Sequence, residues 1–159
     1  MLTFSEIPIV TRVFLLYHKL MNIILIGSGG REHAIARCLA QSPLVQKIVV
    51  VPGNGGTAAE PKCKNVDAAL CDHLKDDGVP ACVQIAQREE CIMAIVGPEN
   101  PLAEGIADDF WKADIPCIGP KKAAAELEAS KDFAKRFMRI YGVACAKSET
   151  FSDSEQAKA

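Results

Sequence analysis

The chain has 159 residues, enough to bury one substantial core, and its length argues for a single domain with at most a further piece attached. Charged residues make up 24% and hydrophobic ones 49%, a globular balance rather than that of a disordered chain. The formal net charge is -2, so bulk electrostatics gives no attraction to nucleic acid or to an anionic membrane.

Residues 1–20 differ in texture from the rest of the chain. Phe14 to Leu16 is apolar, but Glu6, Pro8, Arg12, His18 and Lys19 interrupt any longer hydrophobic run. No stretch there is long and apolar enough to span a bilayer, and no continuous apolar region leads into a small-residue cleavage site. Residues 1–20 are therefore expected to be an extension outside the fold, with a targeting peptide as the alternative.

Asn22 to Ile26 is a short continuous apolar run ending at Gly27, which suits a strand buried on both faces. Arg31 to Gln41 has helical spacing, with Ala34, Ile35, Cys38 and Leu39 expected on its inner face, and Pro43 stops it. Lys47 to Val51 is a second buried strand, completing a β-α-β unit and implying a parallel sheet. A small extra strand is expected near Cys63 to Val66. Val79, Cys82, Val83 and Ala86 are spaced as one helical face, and Ile92 to Val96 is a third strong strand.

Asn100 is expected to cap a helix opening at Pro101, with Leu102, Ile106 and Phe110 as its inward stripe. Ile115 to Ile118 is a short strand closed by Gly119 and Pro120. Lys121 to Glu128 is alanine-rich and helical. Ser130 is placed to cap a helix carrying Phe133, Phe137 and Tyr141 on one side, with Gly142 closing it and an extended chain from Val143. Ser152 to Glu155 has capping-box spacing, yet only Gln156 to Ala159 come after it, about one turn, so the chain is expected to be a fragment of a longer protein.

The cysteines (Cys38, Cys63, Cys71, Cys82, Cys91, Cys117 and Cys145) contain no Cys-x-x-Cys pair and fit no common zinc spacing. Reduced and mostly buried thiols of a cytoplasmic protein are expected, with a redox role as the alternative, and no metal ligands are assigned.

Gly27-Ser28-Gly29-Gly30-Arg31-Glu32-His33 joins the first strand to the first helix. Glycines there let amide N–H groups approach an anion, which a helix N-terminus also favours, so a phosphate is the natural ligand. A tight turn without a ligand is the plain alternative. The dinucleotide fingerprint is incomplete, because Glu32 stands at its third glycine and the second strand ends at Val51-Pro52-Gly53 without a ribose-binding acid. A Walker loop is excluded because no Gly-Lys-Ser/Thr comes after the glycines. Arg31 is placed either to complement a phosphate or to be solvated; Glu32 reads as a first-turn acid favoured by the helix dipole; His33 stays open between capping, packing and binding. Two further loops end strands where open α/β sheets bind ligands. One is Pro52 to Thr57, whose Gly and Asn suit backbone contact or a simple turn. The other is Gly97 to Pro101, whose Glu99 in a proline-flanked turn suits ribose hydroxyls or an amine, with a helix N-terminal acid as the plain alternative.

Four blocks together carry a resemblance: Ile26 to Ala34, Pro52 to Thr57, Val96 to Leu102, and Gly119 to Lys131. In order and spacing they resemble the phosphoribosylamine–glycine ligase (glycinamide ribonucleotide synthetase) family of the ATP-grasp superfamily, from Met21 to the last residue. Asn54-Gly55-Gly56 departs mildly from the family's commoner Asn-Ala-Gly, as do Asn100 and Ala129. The resemblance implies an α/β fold, a Rossmann-like parallel sheet with helices on both faces, followed by the start of an ATP-grasp domain. It implies a division into an extension at 1–20, a Rossmann-like domain at 21–120 and the opening of the ATP-grasp part at 121–159.

The implied reaction joins glycine to 5-phosphoribosylamine at the expense of ATP, giving glycinamide ribonucleotide, ADP and phosphate in de novo purine synthesis, with Mg2+ or Mn2+. By the same resemblance Gly27, Ser28, Gly29, Gly30 and Arg31 take the substrate phosphate, Glu99 the ribose or amine, and Lys131 the ATP phosphates. No catalytic residue is assigned, because the ATP lid and metal carboxylates are expected beyond Ala159, which leaves the chain inactive alone. The implied partners are small molecules, with neither nucleic acid nor membrane. An oxidoreductase cofactor domain and a stand-alone nucleotide- or sugar-phosphate-binding module are the competing classes; retained NAD would mark the first.

Overall fold

A computed structural model describes residues 20–67 and 79–158, so the expectations for residues 1–19 and for Cys71 lie outside the described residues. The chain runs β1 (Met21–Gly27), α1 (Gly30–Gln41), β2 (Val45–Pro52), α2 (Gly55–Ala59), β3 (Cys63–Asn65), α3 (Ala81–Arg88), β4 (Cys91–Val96), α4 (Glu99–Glu104), α5 (Ile106–Lys112), β5 (Cys117–Ile118), α6 (Lys122–Ala129) and α7 (Lys131–Ile140). One five-stranded sheet has the order β3-β2-β1-β4-β5. All its pairings are parallel.

Side chains alternate across a strand, so each strand of a sheet covered on both sides feeds two cores. Ile24 and Ile26 of β1 join Val49 and Val51 of β2 on one face, packed with Leu102, Phe110 and Ala125 from the later helices. Ile23 and Leu25 join Ile48, Val50 and Ile95 on the other, under Ala36 and Ala40 of α1. This is why Ile23 to Ile26 of β1 and Ile48 to Val51 of β2 read as continuous apolar runs. Each such buried side chain contributes about 1.5–3 kcal/mol, before conformational entropy is subtracted.

Three local expectations are corrected. The inner face of α1 is Glu32, Ala36 and Ala40, with Ile35 and Leu39 partly buried, whereas Ala34 and Cys38 face outward. The helix has turned so that its smallest residues meet the sheet and allow close approach. Asn100 is not a cap: the helix opens at Glu99, behind Pro98, and is broken at Gly105, whose φ of 106° makes a left-handed joint between α4 and α5. Leu102 and Phe110 are nevertheless buried and Ile106 packs against them, because the joint keeps both short helices on the same core. The cysteines are less buried than expected: all described ones are free, but just Cys91 and Cys117 of these are buried, Cys63 and Cys82 are partly buried, and Cys38 and Cys145 are exposed.

The C-terminal expectations fare unevenly. Ser130 caps α7, its Oγ accepting the Phe133 amide at 3.2 Å. Residues 143–150 form no strand, and the capping-box spacing at Ser152 yields a single 3-10 turn at Gln156–Lys158. No described helix is long and apolar enough to cross a membrane.

At the end of α3, Glu89 ties three strands together. Its carboxylate accepts from Lys47 Nζ at 2.8 Å and Lys64 Nζ at 2.7 Å, and its carbonyl accepts from Asn22 Nδ2 at 2.9 Å. The two lysines hold its pKa down at about 2. A lowered folded-state value means that this stabilisation is complete above the unfolded value near 4.5 and is lost as pH falls towards 2. Wild type should therefore exceed Glu89→Gln by about 1 kcal/mol at neutral pH, after allowance for solvent screening. In urea titrations the gap should close near pH 2; a gap that persists there would remove the carboxylate charge as its source.

Candidate functional site

The strand order reverses between β1 and β4: the chain builds β2 and β3 to one side of β1, then returns to lay down β4 and β5 on the other. Loops leaving β1 and β4 therefore diverge, and their parting opens a crevice at the strands' C-terminal ends. Gly27 closes β1 there, and Gly97 comes directly after β4 with its amide donating to the Ile26 carbonyl at 3.1 Å. The loop after β2 completes the rim, since the Gly53 amide donates to the Gly27 carbonyl at 3.2 Å.

Asn54 ties this second loop to the glycine turn. Its Nδ2 donates to the Ser28 carbonyl at 2.8 Å and to the Gly29 carbonyl at 3.3 Å, while its Oδ1 caps α2 by accepting the Thr57 amide at 2.9 Å. Asn65 braces the same loop from β3, donating to the Asn54 carbonyl at 2.8 Å. The sequence suggested backbone contact or a simple turn here; the loop instead acts as a clasp on the glycine turn.

The largest departure concerns Glu32. Its side chain is 3% exposed and lies in the crevice, against Gly27, Gly29 and Gly97. Oε2 accepts the Gly29 amide at 2.7 Å, one half of a capping box whose other half a glycine cap has no side chain to make. Oε1 accepts from Arg31 Nε at 2.9 Å. Burial pushes the Glu32 pKa up, but the hydrogen bonds from Arg31 and Gly29 outweigh it and hold the carboxyl below its ordinary value. A Cβ on Gly97 would overlap Oε1, and one on Gly27 would sit 2.6 Å from Glu32 Cγ. The glycines of this turn thus make room for a protein carboxylate, and the Gly29 amide is already engaged.

Arg31 and Glu99, far apart in sequence, meet at the mouth. Arg31 Nη2 lies 4.0 Å from Glu99 Oε2, both side chains being about half exposed. The Arg31 guanidinium is held above its ordinary value, chiefly by its hydrogen bond to Glu32, with weaker attraction from Glu99 and Glu128. His33, left open by the sequence, has a structural place: its Nε2 lies 3.0 Å from Glu60 Oε1, and its ring covers Gly56. Lys131 is exposed at the start of α7 and makes no hydrogen bond or ion pair with the glycine turn among the described residues. No group of three His, Cys, Asp or Glu side chains placed to hold a metal occurs among the described residues.

Taken together, these features define an open parallel α/β domain with a glycine-lined crevice at its switch point, the usual ligand position of that architecture. In shape it is similar to the biotin carboxylase domain of a single-chain bacterial carboxylase (TM-score 0.56, 18% identity, 87% of this chain and 33% of that one), a likeness of fold alone. The chain belongs to the phosphoribosylglycinamide synthetase N-domain family, whose model matches residues 21–128. It is 47% identical over 139 residues to phosphoribosylamine–glycine ligase of Allochromatium vinosum, covering 87% of this chain and 31% of that protein. Identity to the protein of the same name from Neisseria meningitidis is 45% over 137 residues, 86% of this chain and 30% of the relative. The chain therefore spans about 30% of the length of these relatives.

Proposed function

We propose that this chain supplies the sugar-phosphate-binding part of a phosphoribosylamine–glycine ligase of purine biosynthesis. In the whole ligase ATP phosphorylates the glycine carboxylate, and the amine of 5-phosphoribosylamine attacks the glycyl phosphate to give the amide, ADP and phosphate. The observation that carries this reading is the convergence of Arg31 and Glu99 over the glycine turn at the switch-point crevice. A cation beside first-turn amides suits a phosphate, and a carboxylate across from it suits a ribose hydroxyl or an amine.

Gly27, Ser28, Gly29, Gly30 and Arg31 then form the phosphate cradle. Gly29 serves in it through its lack of a side chain, because its amide donates to Glu32; the amides of Gly30 and Arg31 have no intrahelical acceptor. Glu99 meets the ribose or the amine. Lys131 reaches the phosphates of ATP, the magnesium or manganese ion being held by residues outside those described. In this reading residues 21–120 are the Rossmann-like domain, residues 1–20 its extension and residues 121–159 the opening of the ATP-grasp part, in a cytoplasmic enzyme working on small molecules.

Two measurements test it. Ribose 5-phosphate titrated into the chain should shift the amide resonances of Gly27 to Arg31, and Arg31→Ala should weaken binding about 10–100-fold, the worth of a charge-assisted contact. Unchanged affinity in Arg31→Ala would take the arginine out of the site. The chain alone, given ATP, glycine and phosphoribosylamine, should form no glycinamide ribonucleotide; product formation would overturn the assignment of ATP activation to the remainder of the ligase.

A further inference from the structure

Among the described residues Glu32 is the buried charged side chain, and the fold gives up side chains at Gly27, Gly29 and Gly97 to admit it. A capping acid does not require this. Ordinary first-turn carboxylates sit at the surface, whereas a buried one is strongly destabilising unless its oxygens are matched. Here both are matched by groups of the proposed phosphate cradle, the Gly29 amide and Arg31 Nε. An arginine gripped through Nε keeps its Nη donors for a planar, two-point contact, and here Nη2 is turned towards Glu99.

We propose that Glu32 is a positioning and specificity-determining residue of this crevice: it orients Arg31 across the mouth, and its own carboxylate fills the inner anion position, so that the site takes one phosphoryl group and not a pyrophosphate. The inference rests on the sugar-phosphate reading above. Dinucleotide sites keep a glycine where Glu32 stands, for close packing of helix on strand. They use the second glycine, here Gly29, to bring main chain up to the pyrophosphate, the space in which Glu32 Oε2 holds the Gly29 amide. Here that volume is taken, and a second phosphoryl charge would be repelled. The sign of one substitution separates positioning from plain electrostatics. Glu32→Gln removes a negative charge at nearly constant shape. By Coulomb's law alone it strengthens phosphate binding, whereas loss of Arg31 orientation weakens it.

The full chain and Glu32→Gln are titrated calorimetrically with ribose 5-phosphate and with ADP-ribose, which carries a pyrophosphate, while the Arg31 Nε–H resonance is followed by NMR. Wild type should bind ribose 5-phosphate in preference to ADP-ribose. Glu32→Gln should bind ribose 5-phosphate about tenfold more weakly and lose much of that preference. In an Arg31→Lys background, which has no Nε–H, Glu32→Gln should have no further effect on ribose 5-phosphate. A purely structural role would lower stability without altering ligand preference or this non-additivity. Equal or tighter binding of ribose 5-phosphate by Glu32→Gln overturns the role of Glu32 and leaves the site standing; no binding by wild type overturns the site and this inference with it. If Glu32→Gln does not fold, wild type still decides: an Arg31 Nε–H that exchanges as fast as those of the exposed Arg37 and Arg88 overturns the proposed grip.

Discussion

Gly27→Ala should lower the stability of the domain by roughly 3 kcal/mol, the sum of a left-handed backbone penalty and overpacking. Gly27 has a φ of 130°, where L side chains are strained, and its added methyl would meet Glu32 Cγ at 2.6 Å. Neither cost is relieved by small movements: Glu32 is held at both oxygens, and the Gly27 carbonyl is fixed by the Gly53 amide. Ribose 5-phosphate binding should fall as well, because relief by displacement of Glu32 releases Arg31. Combining Gly27→Ala with Glu32→Ala should recover the packing share of the loss, about 1–2 kcal/mol, and leave the backbone share. Chemical denaturation of the four chains measures this cycle, and strict additivity would show that the two residues do not compete for the same space.

Phe110→Ala should cost about 3–5 kcal/mol, the range for emptying a large aromatic site in a core. Phe110 is fully buried and packs in the cluster that joins Ile24 and Val49 of the central strands to Leu102 and Cys117. Its loss should loosen β5 and α4 together, since both lean on that cluster. Trp111, next in the chain, is 46% exposed, and Trp111→Ala should cost less than about 1 kcal/mol despite the larger side chain. Urea midpoints of the two variants check the contrast; similar losses would mean that burial does not set the difference between these two neighbours.

Much of the fold was legible in the chain because its signals are local. Continuous apolar runs mark strands covered on both faces, and Gly, Pro and Ser mark the ends of elements, so β1, β2, β4 and the cap at Ser130 can be read from neighbouring residues alone. The rotation of α1 was not legible. Apolar spacing favours Ala34 and Cys38, yet the sheet selected Ala36 and Ala40, whose small size allows close approach, and drew in a charged residue beside them. The break at Gly105 was missed for a similar reason, since Leu102, Ile106 and Phe110 keep helical spacing across it.

The sequence by itself determined the parallel α/β class, the glycine-rich β1–α1 junction and the kinship carried by four spaced blocks, all properties of residues close together in the chain. Tertiary structure alone decided what stands opposite those glycines. Gly97 is far from Glu32 along the chain, yet the β1–β4 pairing brings them into contact, and that contact turns a first-turn acid into a buried carboxylate gripping Arg31. The space a side chain fills is set by strands that pack against it from elsewhere in the chain, and no local pattern encodes that distance.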